Sequence, residues 1–385
     1  MRIGFDVSQT GPGKAGCGFY AHGLLHGLLG IDAVNDYVLY PTFGDHYFDP
    51  EVRSQELPVQ QNVTVGPHQQ HPEARMFWGN PAPGFESRIG NPDVIHANNF
   101  FAPAGLIHSR LVYTLYDLGF LENSSWTTEA NRTACFGGLF RAAVSADWMI
   151  AISRFTKQRF THLFPHYPAD RISVIYPASR FGPNHPATPP AAKLERRKFW
   201  LCVATLEPRK NYRGILRAYG EVRADIGPAA DPLVIAGGAG WITDIQQEID
   251  QLKLGGHVVL LGYVPDAVLC WLYRNARCLV FPSFYEGFGM PVLEAMSCGT
   301  PVIASNGSAF PEIVGSSQPG DLLVDPLDVA SIAGAMKQLQ RLTADRMDRL
   351  GILAQQQAQS FSWQQSANAL LQVYQQALDD AKLFR

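Results

Sequence analysis

The sequence has no cysteine pair at Cys-x-x-Cys spacing and no marked excess of either charge. It also has no apolar run approaching the ~18 residues needed to cross a bilayer. Each absence removes a class of protein. The six cysteines (Cys17, Cys135, Cys202, Cys270, Cys278 and Cys298) are scattered, mostly in apolar runs where a thiol behaves as a small hydrophobe. That argues against a disulfide framework or a structural zinc, and for a reducing compartment. The opening Met1-Arg2-Ile3-Gly4-Phe5-Asp6 reads as a strand rather than a leader peptide, so a cytoplasmic protein is expected. Net charge is −3, with 13 basic and 15 acidic side chains in residues 1–185 and 18 and 19 beyond. A nucleic-acid binder would carry a basic excess, so no nucleic-acid partner is expected. One stretch departs from this balance. From Arg132 to Arg180, seven basic residues (Arg132, Arg141, Arg154, Lys157, Arg159, Arg171, Arg180) accompany only Asp147 and Asp170. A solvated face with some substrate-facing cations is the plain reading. The stretch is also compatible with peripheral association at the inner face of a membrane.

What is present is a pattern of short β-branched runs alternating with helical stretches from end to end. At 385 residues, 46% hydrophobic and 17% charged, the chain should fold as two domains. Strands are expected at 2–7, 37–40, 93–96, 111–116, 148–152 and 172–175, then at 199–204, 233–236, 258–261, 278–281, 301–304 and 322–324. Alternation of this kind builds parallel sheets covered by helices. The fold class is therefore α/β, with two doubly wound, Rossmann-like parallel sheets facing across a cleft. Residues 1–180 form the first domain, the Pro-rich 181–194 a linker, 195–361 the second domain, and 362–385 a glutamine-rich terminal helix. In such sheets ligands sit beyond the carboxyl ends of the strands, where strand order reverses.

Gly11-Pro12-Gly13-Lys14-Ala15-Gly16 fits Gly-x-Gly-x-x-Gly, but it makes a poor dinucleotide turn. Four residues separate Asp6 from the first glycine, Pro12 sits inside the turn, and Asp36 precedes the second strand instead of ending it. The better reading is a loop opening a helix at 19–29, with backbone N–H groups near Gly16 and Gly18 facing an anion. A plain flexible loop remains the alternative.

The most informative segment is Phe281-Pro-Ser-Phe-Tyr-Glu286-Gly287-Phe288-Gly289-Met290-Pro291-Val-Leu-Glu294-Ala-Met-Ser-Cys-Gly299. A strand ends at Pro282, and a loop should carry Glu286 into the open. Pro291 starts a helix and Gly299 caps its end. Bare backbone at Gly287 and Gly289, with the positive helix end, suits a diphosphate or sugar oxygens. Glu294 falls in the first helical turn on this reading, placed for ribose hydroxyls. A second cluster, Glu207-Pro208-Arg209-Lys210-Asn211, follows the strand at 199–204, where two cations suit a diphosphate. There is no Asp-x-Asp to clamp a metal-bound nucleotide sugar, and no Gly-x-x-x-x-Gly-Lys-Ser/Thr of a simple NTPase.

Glu286-x7-Glu294 within Glu-Gly-Phe-Gly-Met-Pro, preceded by Glu207-Pro-Arg-Lys-Asn, closely resembles the retaining glycosyltransferases of family 4, which have the GT-B fold. The resemblance spans nearly the whole chain. It implies transfer of a hexose from a nucleotide diphosphate sugar to a glycan or lipid-linked acceptor in bacterial polysaccharide or oligosaccharide synthesis. No metal and no cofactor are expected. UDP-glucose is the first expectation for the donor and GDP-mannose the next. By the same resemblance, Arg209 and Lys210 bind the diphosphate, Glu286 the sugar, and Glu294 the ribose. Tyr263 and Val264 wall the base, acceptors bind the N-terminal domain, and the last helix returns to that domain. Backbone from Gly287 through Phe288 and Gly289 to Met290 completes the donor site.

This chain departs from the family at Tyr116-Asp117, where His-Asp is common. Tyr116 can donate a hydrogen bond but is a poor base at neutral pH. Asp117 is equally a contact to the acceptor and a cap for the next loop. By position, His96, Ser153 and Lys157 are candidate acceptor or phosphate contacts, with a core histidine and a solvated helix face as the plain alternatives. A catalytically silent GT-B subunit, a phosphorylase and an epimerase are the competing functions.

Overall fold

The computed structural model describes residues 1–11, 13–44, 57–66, 69, 71–182, 184–240, 242 and 244–383. Pro12 and Pro183 of the sequence reading, and the last two positions of the terminal segment, lie outside them. The chain divides into two compact units, residues 1–178 with 361–385, and residues 179–360.

The first unit is a seven-stranded parallel sheet: β1 (Arg2–Asp6), β2 (Asp36–Tyr40), β3 (Val63–Val65), β4 (Val94–Ala97), β5 (Arg110–Leu115), β6 (Trp148–Ala151) and β7 (Ile172–Val174). The order β3-β2-β1-β4-β5-β6-β7 reverses between β1 and β4. Strands β4 and β6 are buried at every position, as a sheet covered on both faces requires. Helix α1 (Gly16–Ile31) links β1 to β2, while α2 (Glu129–Ala143) and α3 (Arg154–Leu163) flank β6 in sequence. The C-terminal helix Trp363–Asp379 packs along α1, its Trp363 ring lying over Gly23.

The second unit has six parallel strands: β8 (Trp200–Val203), β9 (Leu233–Ala236), β10 (Val258–Gly262), β11 (Cys278–Phe281), β12 (Val302–Ser305) and β13 (Leu323–Val324). Their order, β10-β9-β8-β11-β12-β13, reverses between β8 and β11. The helices that matter here are α4 (Tyr212–Ile226), α5 (Asp266–Asn275) and α6 (Met290–Ser297). The runs expected at 233–236 and 278–281 are strands over those same residues, and the other expected strands shift by a residue or two at their ends. Strand β3 was not expected. It has three residues, one half-buried and two exposed, and among the described residues it pairs only with β2, too little for an alternation to register. Asp36 opens β2 beside Arg2 rather than ending it, so the dinucleotide reading finds no ribose-gripping acid there.

Candidate active site

In the second unit, the ends of the two strands that flank the reversal carry the charged cluster. After β8 the chain makes a single 3-10 turn, Pro208–Lys210, which ends on Asn211 at φ 58°. Asn211 tolerates this left-handed backbone and caps α4, its side chain accepting from the Gly214 N–H at 3.2 Å. The turn aims both cations at the loop after β11. Arg209 Nη1 donates to Glu286 Oε2 at 2.9 Å and to the Tyr285 carbonyl at 2.8 Å, and Lys210 Nζ donates to Glu286 Oε1 at 2.6 Å. Glu207 reaches Arg209 from behind at 3.4 Å. A backbone bond from the Phe284 N–H to the Arg209 carbonyl ties turn and loop together.

Glu286 is thus not carried into the open, as the sequence suggested; it is 7% exposed. Two cations converging on one carboxylate hold it against the protein. Burial alone would raise its carboxyl, but Arg209 and Lys210 outweigh this and keep it below the ordinary glutamate value. Lys210 moves down, chiefly because burial and the neighbouring Arg209 disfavour its charge, with Glu286 and Glu207 opposing. These groups form a desolvated and charge-balanced cluster. An incoming anion would find two cations already oriented, and a sugar hydroxyl would find an ionised acceptor.

Gly289 sits at φ 111°, and a Cβ there would lie 2.7 Å from the Phe310 ring, so only glycine lets α6 begin where it does. Because α6 starts at Met290, Glu294 is its fifth residue and lies beyond the first turn, which corrects the sequence reading. Gly299 has the expected left-handed backbone past the helix end. Gly287, Phe288 and Gly289 are buried, so this stretch offers its backbone from within the fold. Glu294, also buried, accepts from Arg180 Nε at 2.6 Å and from the Tyr273 hydroxyl at 2.9 Å. Burial raises its carboxyl in spite of Arg180 and Tyr273. Arg180, which also pairs with Asp266 at 2.9 Å, is a partner that the sequence reading missed. Tyr263 and Val264 follow the edge strand β10, with Tyr263 exposed.

The first unit treats its candidates differently. His96 is fully buried, its Nδ1 2.6 Å from the Tyr374 hydroxyl and its Nε2 2.8 Å from Thr114 Oγ1. Burial pulls its pKa down to about 3. It is a neutral core histidine, the plain alternative above. Tyr116 is buried too, and its hydroxyl donates to the Asn98 carbonyl at 2.9 Å. Burial first, then the nearby Cys17 and Tyr20, raise its pKa well above the ordinary tyrosine value. In this structure an internal bond occupies the hydroxyl that the sequence reading offered to catalysis. Asp117 accepts from the Gly119 N–H at 3.2 Å, the local capping reading. Ser153 caps α3 by accepting from the Thr156 N–H at 2.9 Å, and Lys157 Nζ donates to the Ile172 carbonyl at 2.5 Å. Gly16 opens α1, where Ala15 at the cap offers no side-chain acceptor. Gly18 is required by packing, since a Cβ there would lie 2.0 Å from the Gln9 carbonyl oxygen.

The group that sequence reasoning missed lies at the β1–β4 reversal. Asp6, 1% exposed, accepts from the Ser8 N–H at 2.8 Å and the Asn98 N–H at 3.0 Å, while Asn99 Nδ2 donates to Ser8 Oγ at 2.9 Å. An acid ending β1 and two asparagines directly after β4 were the available signal, because both fall at the switch point.

His96 carries a pH prediction. The unfolded chain binds a proton near pH 6.5 that the folded protein refuses until about pH 3, so this group makes stability fall as pH drops below about 6.5. The expected result is a flatter dependence of Tm on pH between 7.5 and 5 in His96→Asn than in the wild type. Parallel curves would contradict it.

Residues 37–178 match the family described as Glycosyltransferase Family 4, and residues 187–357 match Glycosyl transferases group 1. The O-antigen chain mannosyltransferase B of Escherichia coli is 34% identical over 289 residues, covering 73% of this chain and 74% of that one. The serotype-specific mannosyltransferase WbdA of Escherichia coli is 26% identical over 317 residues, 76% of this chain but only 38% of that longer protein. Among solved structures, a sucrose-phosphate synthase from Thermosynechococcus elongatus matches with TM-score 0.72 at 20% identity, over 99% of this chain and 100% of that one. The protein is an enzyme of the GT-B class. It belongs to the glycosyltransferases of family 4.

Proposed function

We propose that the protein is a retaining, metal-independent mannosyltransferase that moves a mannosyl residue from GDP-mannose onto a glycan, as in the assembly of a bacterial surface polysaccharide. The donor expected first from the sequence, UDP-glucose, yields to GDP-mannose because two relatives are named as mannosyltransferases. The observation that carries the reading is Glu286 held between Arg209 and Lys210 at the carboxyl ends of β8 and β11.

In this reading Arg209 and Lys210 take the diphosphate and offset the charge that grows on it as the glycosidic bond breaks. Glu286, pinned by two cations, is a weak nucleophile and accepts bonds from hydroxyls of the departing sugar. Glu294 receives the ribose hydroxyls, its carboxylate oriented by Arg180 and Tyr273. The acceptor hydroxyl attacks C1 from the face that the diphosphate leaves: the bond from C1 to the phosphate oxygen breaks, the bond to the acceptor oxygen forms, and the acceptor proton passes to the leaving phosphate.

The test is transfer from GDP-mannose, UDP-glucose and UDP-galactose in excess EDTA, with the anomeric configuration of the product read by NMR. An α-mannoside formed in EDTA supports the reading. Transfer from a UDP-sugar only, an inverted product, or complete loss on chelation would overturn the corresponding part. Replacing Arg209 or Lys210 by Met should weaken GDP binding by about 1.5–3 kcal/mol each, the usual loss of a charge-assisted bond. Calorimetric affinities unchanged in both variants would remove the diphosphate assignment.

A further inference from the structure

Five non-glycine residues have positive φ among the described residues: Asn91, Arg197, Asn211, Lys253 and Ser308. Asn91 belongs to the first unit, and Arg197 and Lys253 precede β8 and β10, at the end of the sheet away from the charged cluster. Asn211 and Ser308 follow strand ends on the cluster's own side. Asparagine visits the left-handed region readily, whereas a serine at φ 57° is strained. Such strain persists only where surrounding contacts over-determine the backbone, and it concentrates at functional sites. Half-buried Ser308 lies three residues past the end of β12, the strand beside β11. The chain from Ser305 to Phe310 meets the loop after β11 at three points. The Ser305 hydroxyl donates to the Ser283 carbonyl, the Glu286 N–H donates to Ser308 Oγ at 3.2 Å, and the Phe310 ring stands against Gly289. The middle contact acts on the peptide that carries Glu286. The carbonyl end of that peptide, on Tyr285, accepts from Arg209 Nη1 at 2.8 Å. Arg209 and Ser308 thus hold the two ends of one peptide plane.

We infer that Ser308 is a positioning residue for the transfer reaction, fixing through the Glu286 N–H the main-chain point from which the Glu286 carboxylate meets the sugar. Arg209 and Lys210 set the direction of that carboxylate, and Ser308 sets its origin. Glycine would take this backbone without strain, yet the position carries a hydroxyl, and the hydroxyl accepts the one N–H that matters here. The inference rests on the reading of Glu286 as the group that receives sugar hydroxyls. It separates Ser308 from the diphosphate, because the bond that Ser308 makes is to the Glu286 main chain.

Ser308→Ala and Ser308→Gly are compared with the full-length wild type for kcat, KM and calorimetric GDP affinity, and each is combined with Glu286→Gln. Alanine removes the hydroxyl and keeps the strained backbone, whereas glycine removes both. In each single variant kcat should fall about ten- to a hundredfold, the scale of a group held slightly out of place, with GDP affinity unchanged. The glycine variant should melt no lower than the alanine variant, so its slower turnover cannot come from lost stability. Added to Glu286→Gln, either Ser308 substitution should lower kcat little further, because both changes strike the same group. Wild-type kcat in the glycine variant would overturn the inference. So would losses that multiply in full in the double variants, or a loss confined to GDP affinity. Wild-type kcat in Glu286→Gln would remove the reading beneath the inference, and the inference with it. If the wild type transfers from another nucleotide sugar, the donor assignment falls, and the same comparison with that donor decides the role of Ser308.

Discussion

Glu286→Gln is expected to lower kcat about 10²–10³-fold, the scale of losing one preorganised charged contact in a water-poor site. The amide keeps the shape of the side chain and can still accept one bond, so the loop after β11 should hold its place. What disappears is the negative charge that balances Arg209 and Lys210 and that receives the hydroxyls of the sugar. The substitution separates two roles. If Glu286 were only a structural counter-ion, its loss would lower stability and leave turnover per folded molecule intact. If it handles the sugar, kcat falls while GDP affinity stays or tightens, because the two cations lose a competitor for the diphosphate. Wild-type kcat in the Gln variant, with the fold verified by circular dichroism, would refute the assignment. Acid should also weaken this cluster. The carboxyl lies below the ordinary glutamate value, so its contribution is complete above that value and fades as pH falls through the folded one.

Arg180→Ala should produce the largest loss of stability in the second unit. It removes a guanidinium 2.6 Å from a carboxylate that is 2% exposed, leaving a buried charge with only the Tyr273 hydroxyl. Removing one member of a buried pair costs about 3–5 kcal/mol. That corresponds to a drop in Tm on the order of 10 °C for a unit of this size. The pH dependence runs opposite to that of Glu286. The Glu294 carboxyl lies above its ordinary value, so the folded state keeps a proton that the unfolded state has released, and this group favours folding as pH falls through that window. Without Arg180 the window extends toward neutrality, and the deficit of the variant should shrink on acidification. Adding Glu294→Gln to Arg180→Ala should recover most of the lost stability by differential scanning calorimetry. A double variant no more stable than the single one would show that Arg180 acts through Asp266 or through packing.

Much of this protein could be read along the chain, and the failures share a cause. The strands β9 and β11, the glycine past α6 and the placing of the Arg209-Lys210 turn and the Glu286 loop after strand ends follow from local pattern and from the rule that strand ends carry ligands. Spacing could not reveal what lies across the fold. Arg180 stands 114 positions from Glu294, Asp6 stands 92 from Asn98, and His96 stands 278 from Tyr374. Tyr116 was drawn into the site by the resemblance, and Ser153 because it follows a strand at the correct end. Both are buried and hydrogen-bonded within the fold, and neither property leaves a mark in the order of residues. Glu286 shows the same limit from the other side. Its glycine neighbours suggested exposure, whereas two cations from another segment hold it in.

The central claim is that Arg209, Lys210, Glu286 and Glu294 form the donor site. The most direct measurement is calorimetric titration of the purified protein with GDP-mannose in excess EDTA, run beside an Arg209→Met, Lys210→Met double variant. Saturable binding by the wild type is expected, with loss of most of that affinity in the folded double variant. Equal binding by both proteins, or no binding of GDP-mannose by the wild type, would contradict that assignment.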